Sequence, residues 1–176
     1  MSTACAHRLR AAVVVGLAGA ASMVAGLETA GAQTQPNACE LLTQNEAKKI
    51  LGKAVRRETN LAGTAATSCS YVVAGDAKRV IGLGVGTFAS ADEAANAYTR
   101  ARANAQFDGL EIKNVRKLGD RAYYLPKTNN FERTLRGKKL VISEVTALDG
   151  QRVYTVYVAP PSKDKARAAV RDAIAG

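Results

Sequence analysis

Histidine is the side chain that most often moves protons or holds a metal near neutral pH, and this 176-residue chain has one, His7. It lies in an N-terminal stretch that reads as a cleaved leader, so the expected mature protein has none. Ser-His-Asp and Cys-His nucleophilic centres, histidine metal sites and histidine haem ligation are thereby excluded together. Of the three cysteines, Cys5 leaves with the leader while Cys39 and Cys69 remain. With no C-x-x-C pair, a redox or metal role has little support. Two cysteines in an oxidising compartment read instead as a disulfide, which would close a loop of about 30 residues and contribute roughly 3–4 kcal/mol. The carboxylates Asp120, Glu132, Glu144 and Asp149 stand singly, and Gly119-Asp120 and Asp149-Gly150 are ordinary turn sequences. No catalytic residue, cofactor site or metal ligand is assigned. A non-enzymatic binding module is expected, the alternative being an envelope hydrolase that works with Asp, Glu or Tyr side chains.

The leader spans residues 1–32. Arg8 and Arg10 form its positive start, Ala11 to Leu27 its apolar run, and Ala30-Gly31-Ala32 a small-residue cleavage site, with cleavage expected after Ala32. An uncleaved membrane anchor is the competing reading; a run of about 17 residues rich in Ala and Gly is short for a span. No cysteine follows the run to take a lipid, and Arg8-Leu9-Arg10 is not a twin-arginine pair, so export of an unfolded, soluble chain is expected. Residues 33–176 then form a single periplasmic or secreted domain with no membrane span. Two Arg and one Glu leave with the leader, so the +10 net charge becomes about +9. Such a charge suits anionic partners, which outside the cytoplasm means envelope components or another envelope protein. Genomic nucleic acid is not expected, and no series of stacking aromatics is present.

Positioning elements can be read in order. Thr43 and Glu46 have capping-box spacing, predicting a helix from Gln44 with Ala47, Ile50 and Leu51 on one face and Gly52 as its stop; Leu41 and Leu42 could clamp its entry. Lys53 to Thr59 suggests an edge strand with Val55 inward, and Asn60 to Thr67 a loop. Cys69, Tyr71 and Val73 share one face of a strand over Ser68 to Ala74, and a turn at 74–77 leads into Lys78 to Phe88. There Ile81, Leu83 and Val85 alternate with Gly82, Gly84 and Gly86. A period of two is a strand pattern and not a phosphate loop, so this strand has one bare face open to a helix, a backbone or a ligand.

Ser90 and Glu93 repeat the capping spacing ahead of a helix over Ala91 to Gln106, with Ala94, Ala97, Tyr98, Ala101 and Ala105 facing inward. Glu111 to Lys117 and Ala122 to Leu125 read as strands about a turn at 118–121, and Pro126 to Gly137 as an exposed loop around Phe131. Lys138 to Ala147 and Arg152 to Ala159 form a hairpin. Pro160 and Pro161 stop it, Ser162 caps, and Ala166, Ala169, Val170, Ala173 and Ile174 mark a terminal helix. The order is helix, three strands, helix, four strands, helix. It predicts an α+β domain with an antiparallel sheet and packed helices, and an internal duplication of helix-plus-meander units.

At Cys39-Glu40-Leu41-Leu42-Thr43-x-x-Glu46-Ala47-x-x-x-Leu51-Gly52, Ser68-Cys69-Ser70-Tyr71 and Leu118-Gly119-Asp120-Arg121-Ala122-Tyr123-Tyr124, the chain resembles a widespread set of small exported bacterial proteins and lipoproteins of unknown function. The resemblance covers most of residues 33–176 and implies a PsbP-like α/β sandwich and the disulfide. It brings no activity and no catalytic residues. Basic groups concentrate at Lys48, Lys49, Lys53, Arg56 and Arg57, and again at Arg133, Arg136, Lys138 and Lys139. The second run surrounds Phe131 and follows Tyr123 and Tyr124, so these seven residues are expected to make an apolar and basic contact surface.

Overall fold

The computed structural model describes residues 36–58, 68–135 and 138–176, the side chains at 128–135 and 138–139 excepted. Helix α1 (Ala38–Leu41) is a single turn capped by the Asn37 side chain, which accepts from the Cys39 amide. Helix α2 (Gln44–Leu51) has both halves of its capping box: Thr43 Oγ1 accepts from the Glu46 amide and the Glu46 carboxylate from the Thr43 amide at 2.7 Å. Gly52 ends it at φ 72°, in the left-handed region where a side chain is strained.

Seven strands follow: β1 (Val55–Arg57), β2 (Ser68–Val73), β3 (Asp76–Thr87), β4 (Lys113–Val115), β5 (Arg121–Leu135), β6 (Lys138–Asp149) and β7 (Arg152–Ala159). Helix α3 (Ala91–Phe107) joins β3 to β4, and α4 (Lys163–Ala175) follows β7. They form one antiparallel sheet in the order β1-β2-β3-β7-β6-β5-β4, with the three-residue strands β1 and β4 outermost. The α+β expectation and its order of three strands, helix, four strands and helix hold.

Register assigns the two faces. The first carries Cys69, Leu83, Val156, Val145 and Tyr124 in one row across five strands, and α1, α2 and α4 cover it with Ala38, Leu51, Ala166, Ala169 and Val170. The Cys39–Cys69 disulfide ties α1 to β2, with Cα atoms 5.0 Å apart. Arg79 donates to the Leu51 carbonyl at 2.6 Å and Gln44 to the Val55 carbonyl at 2.8 Å, which fixes α2 over β1 and β3. The second face carries Tyr123, Leu125 and Leu148, against which α3 sets Ala94, Tyr98 and Ala105. The helices that open the two meanders, α2 and α3, therefore lie on opposite faces.

Three expectations change. Pro126 to Leu135 is not a loop: β5 continues through it, paired with β6 as far as Leu135 against Lys138, with irregularities between Leu125 and Thr128 and between Thr128 and Arg133. The polar run has no alternation of its own, because on this hairpin β6 supplies it, burying Leu140 and Ile142 and exposing Val141. The inward stripe of α3 passes through half-buried Arg102 and leaves Ala101 exposed. The glycines of β3 are not bare either. Gly82 pairs directly with Tyr157, whose ring occupies the place a Cβ would take, and Phe88 crowds Gly86, leaving room only at Gly84. The expected Asn60–Thr67 loop lies outside the described residues.

Candidate functional site

Between α3 and the end of the sheet formed by β4 and β5, a cleft of about 530 Å³ is lined by Tyr98, Thr99 and Arg102 from the helix and by residues 114–122 from β4, the connecting turn and β5. The turn is held from beneath. Gly119 takes φ 57°, close against the Leu148 carbonyl, the Asp120 amide donates to that carbonyl at 2.8 Å, and Asp120 Oδ2 accepts from the Gly150 amide at 2.9 Å. Leu118 is buried below it. The Leu118-Gly119-Asp120 sequence thus latches the β4–β5 turn to the β6–β7 turn, and in doing so builds one wall of the cleft.

Four cations line it: Arg102, Arg116, Lys117 and Arg121. None of them is in an ion pair among the described residues. The one carboxylate on the wall, Asp120, is engaged with Gly150. Arg102 is held by Asn114, to whose Oδ1 it donates at 2.8 Å, and its guanidinium lies 5.9 Å from the Tyr123 ring centre. Among the described residues Lys117 is the non-glycine residue with positive φ, at 58°. A groove between α2 and α4, about 330 Å³, is different in kind: Asp164 and Asp172 there face Lys49, Lys165 and Arg171.

Nucleophiles and bases are poorly placed in the cleft. Thr99 Oγ1 donates to the Ala95 carbonyl at 2.7 Å. Burial raises the Tyr98 hydroxyl above its ordinary range, against the opposing hydrogen bond and charge of Arg102. Behind it, burial pushes Tyr123 up to about 12, with its hydrogen bond to Thr146 opposing. Neither phenol ionises near neutral pH. The arrangement can hold an anion.

A polar row crosses the second face elsewhere. Ser70, Gly82, Tyr157, Glu144 and Leu125 align over five strands, Ser70 Oγ lies 2.6 Å from the Tyr157 hydroxyl, and Thr146 donates to Glu144 at 3.1 Å. Glu58, 5 % exposed and 3.4 Å from Arg56, stands opposite Ser70. Four strand spacings of about 4.8 Å put Glu58 and Glu144 roughly 19 Å apart along the sheet, beyond the 5–10 Å or so of a glycosidase pair.

The contact surface expected from sequence does not come together around its tyrosines. Consecutive strand residues point to opposite faces, so Tyr123 packs under α3 and Tyr124 enters the first-face core, 2 % and 8 % exposed. Arg136 lies outside the described residues. For Phe131, Arg133, Lys138 and Lys139 the side chains do, while the backbone places them on β5 and β6. The cleft cations were missed because they come from three elements and form no single run. Arg116-Lys117 ahead of the Leu-Gly-Asp turn was the available signal. Cys39 and Cys69 are joined as expected.

No protein-family model matches the chain, and no curated protein matches it significantly. Among the described residues there is no group of three His, Cys, Asp or Glu side chains able to hold a metal, and no helix long and apolar enough to cross a membrane.

Proposed function

We propose that this is an exported, non-enzymatic module of the cell envelope that binds an anionic ligand in the cleft between α3 and the β4–β5 end of the sheet. The carrying observation is the set of four cations, Arg102, Arg116, Lys117 and Arg121, on one cavity without ion-pair partners among the described residues. Leaving such charges uncompensated costs stability through mutual repulsion, and an anionic ligand recovers it. Export is supported by the leader pattern of residues 1–32 and by the Cys39–Cys69 disulfide, a bond that persists in oxidising compartments. The partner is an envelope component or an anionic patch of another envelope protein. A PsbP-like sandwich is the fold reading in keeping with helices on both faces of one antiparallel sheet. Duplication has less support, since a two-fold relating β3 to β7 would keep α2 and α3 on one face.

Thermal unfolding of the purified exported protein, with and without fractions of an envelope extract, tests the reading beside the Arg116→Gln/Arg121→Gln variant. A melting temperature raised by an anionic fraction in the wild type and not in the variant is the expected outcome. An equal rise in both proteins would remove the cleft from the reading. Amino-terminal sequencing of the same material should begin at Gln33.

A further inference from the structure

Resting on that anion-binding reading, we infer that the ligand of the cleft is a phosphate monoester: a doubly charged phosphoryl head on a small organic body. Charge is the first reason. Four cations face one carboxylate, and that carboxylate already accepts from the Gly150 amide, so the cleft holds an excess of three positive charges. A monocarboxylate or a sulfate monoester would answer one of them, whereas a phosphate monoester near neutral pH brings about two.

Donor geometry is the second. Three of the four cations are arginines, whose planar forks match the paired oxygens of a phosphoryl group, and the fourth is a lysine able to act as a point charge beside them. Arg102 is positioned in advance by Asn114 at 2.8 Å and by the Tyr123 ring, so little side-chain freedom is lost when it engages a ligand. Lys117 is kept at φ 58°, a conformation that Gly or Asn would take more readily. Its retention there gives the turn a cation where glycine would give none.

Size supplies the third. A volume of about 530 Å³ is that of a small-molecule site and exceeds what a bare oxyanion fills. Val115, Leu118 and Ala122 border it but turn their side chains into the first-face core, while Arg116, Lys117 and Arg121 stand exposed. The head group binds among the exposed cations and the organic body takes up the rest of the volume, beside Thr99 of α3. The groove between α2 and α4 lacks this polarity, because its two aspartates would repel the same head.

Calorimetric titration of the purified protein with phenyl phosphate, phenylacetate and inorganic phosphate, together with co-sedimentation on phosphatidic acid/phosphatidylcholine vesicles, tests the inference. Phenyl phosphate should bind about tenfold tighter than phenylacetate, the worth of a second charge at a partly screened site, and tighter than inorganic phosphate, which lacks the body. Arg116→Gln/Arg121→Gln should abolish the difference, and Lys48→Gln/Lys53→Gln, with the same loss of charge on the far side of the sheet, should keep it. Binding to the phosphatidic acid vesicles alone would uphold the chemistry and assign it to a lipid head; binding of phenyl phosphate assigns it to a soluble ester. Equal affinity for phenyl phosphate and phenylacetate would overturn the phosphoryl inference and leave the anion cleft standing. Failure of every probe would overturn both.

Discussion

The carboxylate of Asp120 accepts a hydrogen bond from the amide of Gly150, thirty residues further along the chain, at 2.9 Å. It joins the turn after β4 to the turn after β6, just beyond the Arg121–Leu148 end of the β5–β6 ladder, so the two turns are held as one corner. Asp120→Ala should lower stability by about 1 kcal/mol, and the melting temperature by roughly 2–4 °C, with Asp120→Asn intermediate. Gly119→Ala should cost more, since its Cβ would overlap the Leu148 carbonyl at a backbone angle that already disfavours a side chain. Urea unfolding of the three variants decides this, and a wild-type midpoint for Asp120→Ala would mean the corner is held by packing alone.

Gly82 and Tyr157 can be tested as a pair. Gly82→Ala displaces the Tyr157 ring and should cost about 1–3 kcal/mol as overpacking. Combined with Tyr157→Ala, the two costs should fall well short of their sum. Additive costs would show that the ring and the glycine do not compete for one space. Tyr157→Phe isolates the hydroxyl facing Ser70.

Loss of the disulfide should be felt globally. Cys69 is 1 % exposed, and its bond holds α1 to the middle of the first-face core. Cys69→Ser is expected to cost about 2–4 kcal/mol, and Cys5→Ser nothing once residues 1–32 are removed. Thiol titration of the denatured, unreduced exported protein should find none free. Two per chain would contradict the bond.

Alkaline pH should unfold the protein in a defined window. The folded pKa of Tyr123 is about 12 against 10.0 for the free phenol, and Tyr71 and Tyr98 are also raised, by burial first. A folded pKa above the unfolded one gives a contribution that is complete below the unfolded value and lost as pH rises through the folded value. For Tyr123 this is on the order of 2–3 kcal/mol, falling away between about pH 10 and 12. Urea midpoints followed with tyrosinate absorbance should drop over that interval, and less steeply for Tyr123→Phe. A flat midpoint would place the phenol in contact with water.

What could be read from sequence was local. The Thr43 and Glu46 spacing, the glycine after Leu51, and the apolar period from Ala166 to Ile174 each depend on neighbours within a few residues, and the structure keeps all three. The long hairpin was half visible, because Leu140, Val141 and Ile142 alternate while the run from Pro126 to Leu135 owes its extension to a partner strand. Tyr123 and Tyr124 look like one aromatic patch in a line of letters; a strand sends them to opposite sides. The cleft was the least legible feature. Arg102 meets Arg116 and Arg121 only after the chain has left α3, run through β4 and turned back, and no spacing within one element records that meeting.

The outermost strands, Val55–Arg57 and Lys113–Val115, are three residues long and carry Arg56, Arg57 and Lys113. A second molecule approaching either margin could add three rungs of ladder at most. A broad sheet of seven strands is a template on which further chains could be laid, without limit, if its margins were long and neutral. Here the margins are stubs, and Arg56 and Lys113 on them are already paired with Glu58 and Glu111. Crowded copies of this protein are thereby offered little edge to extend, because both outer strands stop after three residues.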